Sequence, residues 1–208
     1  MDCPIIENRG RAGVLKSSET GPDTSALRLF SHPLPVGELR LLAPYDAPAL
    51  LALVESEREH FAPWLPWARE MRTVEDAAAF IGRGTRRYAE QGTPWIGVWV
   101  DGVLAGGVLF WPVDDLGGHV ELGYWLSRRA GGRGVMTNAV AALVAFCFTE
   151  LDLNKVVIKC AARNTASRGV PERLGFTPEG LLRDHLVLDG VAHDLVPYGL
   201  LRREFTGR

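Results

Sequence analysis

The stretch Gly123–Val140, GYWLSRRAGGRGVMTNAV, begins as a strand and ends as a helix, and between them RRAGGRG puts three glycines and three arginines into seven residues. Core packing asks for no such composition. A helix starting near Val135 leaves about four backbone N–H groups without intrahelical partners and carries roughly half a positive charge at that end. Glycines let such a backbone approach a ligand closely, and Arg128, Arg129 and Arg133 add formal charge. These are the parts of an anion site, with phosphate or pyrophosphate as the natural guest. The spacing is neither GxxxxGK[ST] nor a GxGxxG after the first strand, which disfavours a nucleoside-triphosphate loop and a dinucleotide fold. On the residues alone, a solvated glycine-rich turn is an equally good reading.

Outward from this stretch the chain alternates strand and helix patterns. ELRLLAP reads as a first strand. Asp46 is placed to cap a helix through about His60, with Leu50, Leu51, Val54 and Arg58 at helical spacing. FAPWLPWA interrupts it with two prolines between aromatics. Thr73 with Asp76 three residues on starts a helix to about Gln91. PWIGVWV, DG and VLAGGVLFWPV form a hairpin with its turn written in, and HVELGYWLS is the next strand. GVMTNAVAALVAFCFTELD is a helix apolar on more than one face. KVVIKCAA is a strand, NTASRGVPERLGF a short helix ended by Gly175, and LLRDHLVL, DG and AHDLVPYGLL a closing hairpin. The order implies an α/β fold with a mixed sheet, an antiparallel meander and one helical crossover. Residues 1–25 are polar and aperiodic and read as a flexible tail; residues 26–208 read as a single domain.

Composition limits the function. The chain has 208 residues and a formal charge of −2, so no global field favours nucleic acid or an anionic membrane, and an anion site has to be local. No apolar run approaches the ~18 residues of a membrane span. Cys3, Cys147 and Cys160 form neither a CxxC pair nor a disulfide framework, so no metal site is expected and a reducing cytoplasm is. Lysine occurs only at Lys16, Lys155 and Lys159, which codon bias in a GC-rich genome explains.

GYWLSRRAGGRGVMTNAVAALVAFCF resembles the acetyl-CoA-binding motif of the GNAT superfamily of N-acetyltransferases, more narrowly its RimJ/RimL branch. NTASRGVPERLGFTPEGLLRD is similar to that branch's Asn-x-x-Ser…Lys/Arg-Leu-Gly-Phe…Glu-Gly…Arg pattern, DGVAHDLVPYGLL to its last hairpin, and FAPWLPW to its Trp-Leu-Pro-Trp segment. The resemblance runs from about Gly37 to Phe205. It implies a GNAT-type mixed sheet of about seven strands flanked by about four helices. It implies acetyl-CoA as co-substrate, with Tyr124, Trp125 and Leu126 along the pantetheine arm and Asn164 hydrogen-bonded to it, or capping its own short helix, or both. Gly131, Gly132, Arg133, Gly134, Val135, Met136 and Thr137 would form the pyrophosphate loop. The family has Gln or Arg where this chain has Gly131, so Arg129 or Arg133 would supply the missing charge.

The resemblance also implies direct acetyl transfer to a primary amine in a ternary complex. A base is needed because an alkyl amine is protonated at neutral pH. Glu121 is the first candidate, with an ion-paired rim carboxylate as its structural alternative. His119, on the same face two residues earlier, is the second. Ser167 would protonate the leaving thiolate, or else satisfy the backbone of its own short helix. Trp64 and Trp67 would wall the acceptor pocket or plug the sheet edge, and Asp194 lies on the hairpin that faces the acceptor. That acceptor is a protein N-terminal α-amine or a small-molecule amine, and a homodimer is a family-level expectation. The rival reading is a non-catalytic acyl-CoA-binding regulatory module on the same fold.

Overall fold

A computed structural model describes residues 31–91, 94–111, 113–114 and 117–206. The expected tail over residues 1–25 lies outside them. The strands are β1 (Ser31–Pro33), β2 (Glu38–Leu41), β3 (Trp95–Val100), β4 (Val103–Phe110), β5 (His119–Leu126), β6 (Lys155–Ala161), β7 (Thr177–Pro178), β8 (Leu182–Leu188) and β9 (Val191–Leu201). The α-helices are α1 (Ala47–Ser56), α2 (Arg58–Phe61), α3 (Pro66–Glu70), α4 (Val74–Gln91), α5 (Val135–Thr149) and α6 (Thr165–Arg173).

The nine strands of the described residues make one mixed sheet in the order β1-β2-β3-β4-β5-β6-β9-β7, with β8 paired to β9 off that path. Among the described residues only β5 and β6 are parallel. A parallel pair needs a crossover, and α5 provides it. The nine strands and six helices exceed the seven and four expected because the additional elements are two to five residues long. Segments that short carry no periodic signal.

Two apolar layers cover the sheet. One joins Val120, Leu122 and Ile158 to Val135, Ala139, Val140, Leu143 and Cys147 of α5. The other joins Trp99, Leu104 and Trp125 to Leu50 and Val54 of α1, Phe61 of α2 and Phe80 and Ile81 of α4. Helix α5 buries nine of its fifteen residues, as its all-round apolar sequence requires.

Local signals act as written in most places. Thr73 and Asp76 cap α4 reciprocally: the Asp76 N–H donates to Thr73 Oγ1 at 3.2 Å, and the Thr73 N–H to Asp76 Oδ2 at 3.0 Å. Both DG turns have paired positive φ values, at Asp101–Gly102 and Asp189–Gly190, as a two-residue hairpin demands. Asp46 departs from expectation. Its carboxylate turns back to the Ala43 N–H at 2.9 Å and to Arg40 at 3.0 Å, so α1 has no side-chain cap. The helix does not run to His60 either. It breaks at Glu57, whose φ is −132° and ψ 25°.

Candidate active site

Strand β5 sets the site. The Ser127 N–H donates to the Ala105 carbonyl at 2.7 Å and the Trp111 N–H to the Glu121 carbonyl at 3.0 Å. Odd-numbered residues of β5 therefore exchange hydrogen bonds with β4, and even-numbered Leu122, Tyr124 and Leu126 turn their N–H and C=O toward β6. Pairing with β6 stops at Leu122↔Ile158, while β6 stays on β9 as far as Ala161↔Leu195. Beyond Leu122 the two strands part, and the main-chain donors and acceptors of Tyr124 and Leu126 face the opening with no strand partner. The Leu126 carbonyl accepts instead from His60 Nε2 at 3.2 Å, so that nitrogen carries the ring proton.

The wall of the opening on the α5–α6 side is polar but uncharged. Tyr124 Oη donates to the Ser167 carbonyl at 2.7 Å. Ser167 Oγ lies 3.4 Å from Tyr124 Oη and 3.3 Å from Cys160 Sγ. Burial pushes the Tyr124 phenol far above its ordinary value, with Cys160 adding to the shift. Burial pushes the Cys160 thiol up as well. The phenol and the thiol therefore stay neutral. Asn164 caps α6, its Oδ1 accepting from the Ser167 N–H at 3.1 Å. That bond leaves the amide's NH2 end for another partner.

Glu121 belongs to the opposite face. Strand alternation puts residues 121, 123 and 125 on the side of Trp125 and the α1–α4 layer, and Tyr124 on the side of α5 and α6. Glu121 Oε2 is 2.8 Å from Lys159 Nζ, both partly exposed. This ion pair crosses from β5 to β6 at the point where the strands separate. His119 opens β5, where β6 is still paired, and its Nδ1 lies 3.8 Å from Asp114.

After β5 the chain makes a 3-10 turn, Arg128–Ala130, closed by the Gly131 N–H to the Arg128 carbonyl at 3.0 Å. A Cβ at Gly131 would stand 3.0 Å from that carbonyl. Glycine there lets the turn close tightly. Gly132 and Gly134 have φ of +74° and +75°. Gly134 is the N-cap of α5 and gives no side-chain cap, so the first amides of α5 lack intrahelical partners. The side chains of Arg128, Arg129 and Arg133 are exposed beside them. Thr137 Oγ1, in the first turn of α5, accepts from Arg173 of α6 at 3.1 and 3.2 Å.

The two tryptophans part company. Trp67 packs at centroid distances of 4.5 Å from Phe80 and 5.3 Å from Trp125, inside the second apolar layer. Trp64 faces His193 of β9 at 6.1 Å, across the space between the α2–α3 segment and the β8–β9 hairpin. Arg69 and Asp189 form an ion pair across the same space. Trp125 is buried, with its main chain on β4 rather than toward the opening. Asp194 Oδ1 accepts from the Asp184 N–H at 2.9 Å, where the β8–β9 register shifts.

Sequence reading did not single out Glu57 or His60. One signal for Glu57 was available: Leu50, Val54, Glu57 and Phe61 follow one helical stripe, and all four are buried. Among the described residues no cluster of three or more His, Cys, Asp or Glu side chains could hold a metal ion. No helix there is long and apolar enough to cross a membrane.

Comparison with known proteins bears on the family and the fold. Residues 38–177 match the family model described as an acetyltransferase (GNAT) domain. YdaF of Bacillus subtilis (strain 168), provisionally named as a ribosomal N-acetyltransferase, is 37% identical over 170 residues, covering 81% of this chain and 93% of that protein. A solved structure described as a probable acetyltransferase superposes with a TM-score of 0.80 at 35% identity, over 85% of this chain and 99% of that one. The microcin C7 self-immunity acetyltransferase MccE, solved with acetyl-CoA and AMP, superposes with a TM-score of 0.76 at 26% identity, over 80% of this chain and 93% of that one.

Proposed function

Since this chain belongs to the GNAT family of N-acetyltransferases, we propose that it takes acetyl from acetyl-CoA and delivers it, through the opening between β5 and β6, to the α-amine of a protein N-terminus. The observation that carries the reading is the main chain of Tyr124 and Leu126, left without a strand partner where β5 and β6 part. An extended chain bearing amides adds there as a strand would. The positive-φ glycines and uncapped start of α5 lie just beyond, where a diphosphate meets unpaired amides. Acetyl-CoA, when bound, supplies a thioester as the activated acyl group and a thiolate as leaving group.

The chain's own groups divide the remaining work. Glu121 takes the proton of the incoming amine, directly or through water. Ser167 returns one to the thiolate from the other face of the sheet. A thiol has a pKa near 8.5, so weak acid assistance suffices. Tyr124 donates to the Ser167 carbonyl and so holds the Ser167 backbone at the opening. A main-chain N–H at the opening stabilises the oxyanion that develops on the acetyl carbonyl. Trp64 and His193 would border the acceptor. The protein-type acceptor follows the relative named as a ribosomal N-acetyltransferase. Buried, unpaired Cys147 and Cys160 support a reducing, cytoplasmic setting.

The test is calorimetric titration with acetyl-CoA, followed by release of free CoA thiol in the presence of N-terminal peptides of ribosomal proteins and of small amines. Saturable binding, with turnover on peptides in preference to small amines, is expected. Absence of binding overturns the reading. Binding without turnover on any amine points to an acyl-CoA-binding module instead.

A further inference from the structure

Glu57 takes no part in the chemistry above, yet it is a buried carboxylate at the edge of the site, 9% exposed. Burial of a carboxylate is costly unless donors compensate it. Here Ser127 Oγ donates at 2.5 Å and the Arg128 N–H at 2.6 Å, and the Arg129 N–H in turn donates to Ser127 Oγ at 3.1 Å. Burial alone would raise the Glu57 carboxyl; these donors, with His60 nearby, outweigh it and hold it below the ordinary range. Glu57 is also where the helix breaks between α1 and α2. One turn later His60 donates to the Leu126 carbonyl. Residues 57–60 thus grip three successive residues, Leu126, Ser127 and Arg128, where the strand becomes the loop.

The consequence concerns which amides remain for a ligand. A carboxylate at the start of the 3-10 turn occupies the place of an anion, and it uses the Arg128 amide. The amides left for a diphosphate are those from Gly132 into the first turn of α5. The direction of those amides depends on how the turn Arg128–Ala130 is seated, and Glu57 is what seats it.

We propose that Glu57 is a positioning residue for the acetyl donor: by binding Ser127 Oγ and the Arg128 amide it fixes the turn that aims the loop amides at the donor's diphosphate. The inference rests on the acetyl-CoA reading above. The test titrates acetyl-CoA by calorimetry into the wild type, Glu57→Gln, Ser127→Ala and the double variant, with kcat and the acceptor KM measured alongside. Glutamine keeps the shape but turns an NH2 group toward a donor. Loss of a hydrogen bond to a charged group predicts about tenfold weaker acetyl-CoA binding for Glu57→Gln. At saturating donor, kcat and the acceptor KM stay within about twofold, a split that general loosening of the fold would not produce. Ser127→Ala weakens binding several-fold, and the double variant is about as weak as Glu57→Gln alone, because the two residues act on one turn. Affinity of Glu57→Gln within about twofold of the wild type, or a fall in kcat at unchanged affinity, overturns the inference. Should Glu57→Gln fail to fold, Ser127→Ala decides alone, and unchanged affinity then overturns it. A wild type that does not bind acetyl-CoA overturns the donor reading and this inference with it, whereas a wild type that binds leaves the Glu57 result to stand by itself.

Discussion

Glu121 and Ser167 flank the same opening from opposite faces of the sheet, and each has an ordinary structural partner. Glu121 pairs with Lys159 at 2.8 Å. Ser167 sits against Tyr124 and Cys160. If the pair does acid–base work, removing it changes the rate and leaves donor binding alone. Glu121→Gln is expected to lower kcat by about a hundredfold or more, in the range for a positioned general base. Ser167→Ala is expected to lower it by roughly tenfold, since a thiolate leaves with little help. Steady-state kinetics with calorimetric acetyl-CoA affinities check both. Unchanged kcat in both variants would show that these side chains serve only the Lys159 ion pair and the contacts with Tyr124 and Cys160. The DG turns and the Thr73–Asp76 cap were legible from sequence because each is a short-range signal acting within four residues. Glu57 was not, because its partners Ser127 and Arg128 lie 70 and 71 positions away. The apolar stripe it interrupts was the only local trace.

At the scale of elements, the strand–loop–helix unit from β5 to α5 depends on its left-handed glycines. Gly134 has φ +75°, and a Cβ there would meet Asn138 Nδ2 at an ordinary 3.7 Å. The cost of Gly134→Ala is therefore conformational, about 1 kcal/mol, or a fall of roughly 2–4 °C in Tm for a chain of this size. Gly190, at the tip of the β8–β9 hairpin, has φ +73° with nothing near its Cβ position, so Gly190→Ala should cost about as much. The two differ in place. Gly134→Ala should also weaken acetyl-CoA binding several-fold, and Gly190→Ala should leave it unchanged. Thermal melts and titrations of both variants separate strain from ligand contact, and equal effects on binding would remove the loop's special role. The existence and order of these elements were legible from hydrophobic period and turn residues. Their lengths were less so. α5 ends at Thr149 rather than continuing through the following ELD, and the first long helix divides at Glu57, because tertiary contacts override local propensity at both ends.

On the scale of the whole molecule, the sheet is a continuous ladder with one fault. Among the described residues every neighbouring pair but one is antiparallel, and the parallel pair comes apart after Leu122 and Ile158. The α5–α6 layer packs on one face of the sheet and the α1–α4 layer on the other. The α2–α3 segment reaches the β8–β9 hairpin through Trp64–His193 and Arg69–Asp189. A donor entering along the loop and an acceptor entering beneath this bridge would meet at the fault. Sequence could propose that opening only by family resemblance, because a missing strand pairing leaves no mark on residue pattern; the register shows which atoms it frees. Those atoms give the most direct test of the account, residue-resolved amide hydrogen exchange with and without acetyl-CoA. Exchange at Tyr124 and Leu126 and from Gly132 to Thr137 should slow sharply when the donor is added, while Gly123 and Trp125, already bonded to β4, stay as they were. Protection elsewhere in the molecule with no change at Tyr124 and Leu126 would contradict the claim that the donor's arm lies as an added strand in this opening.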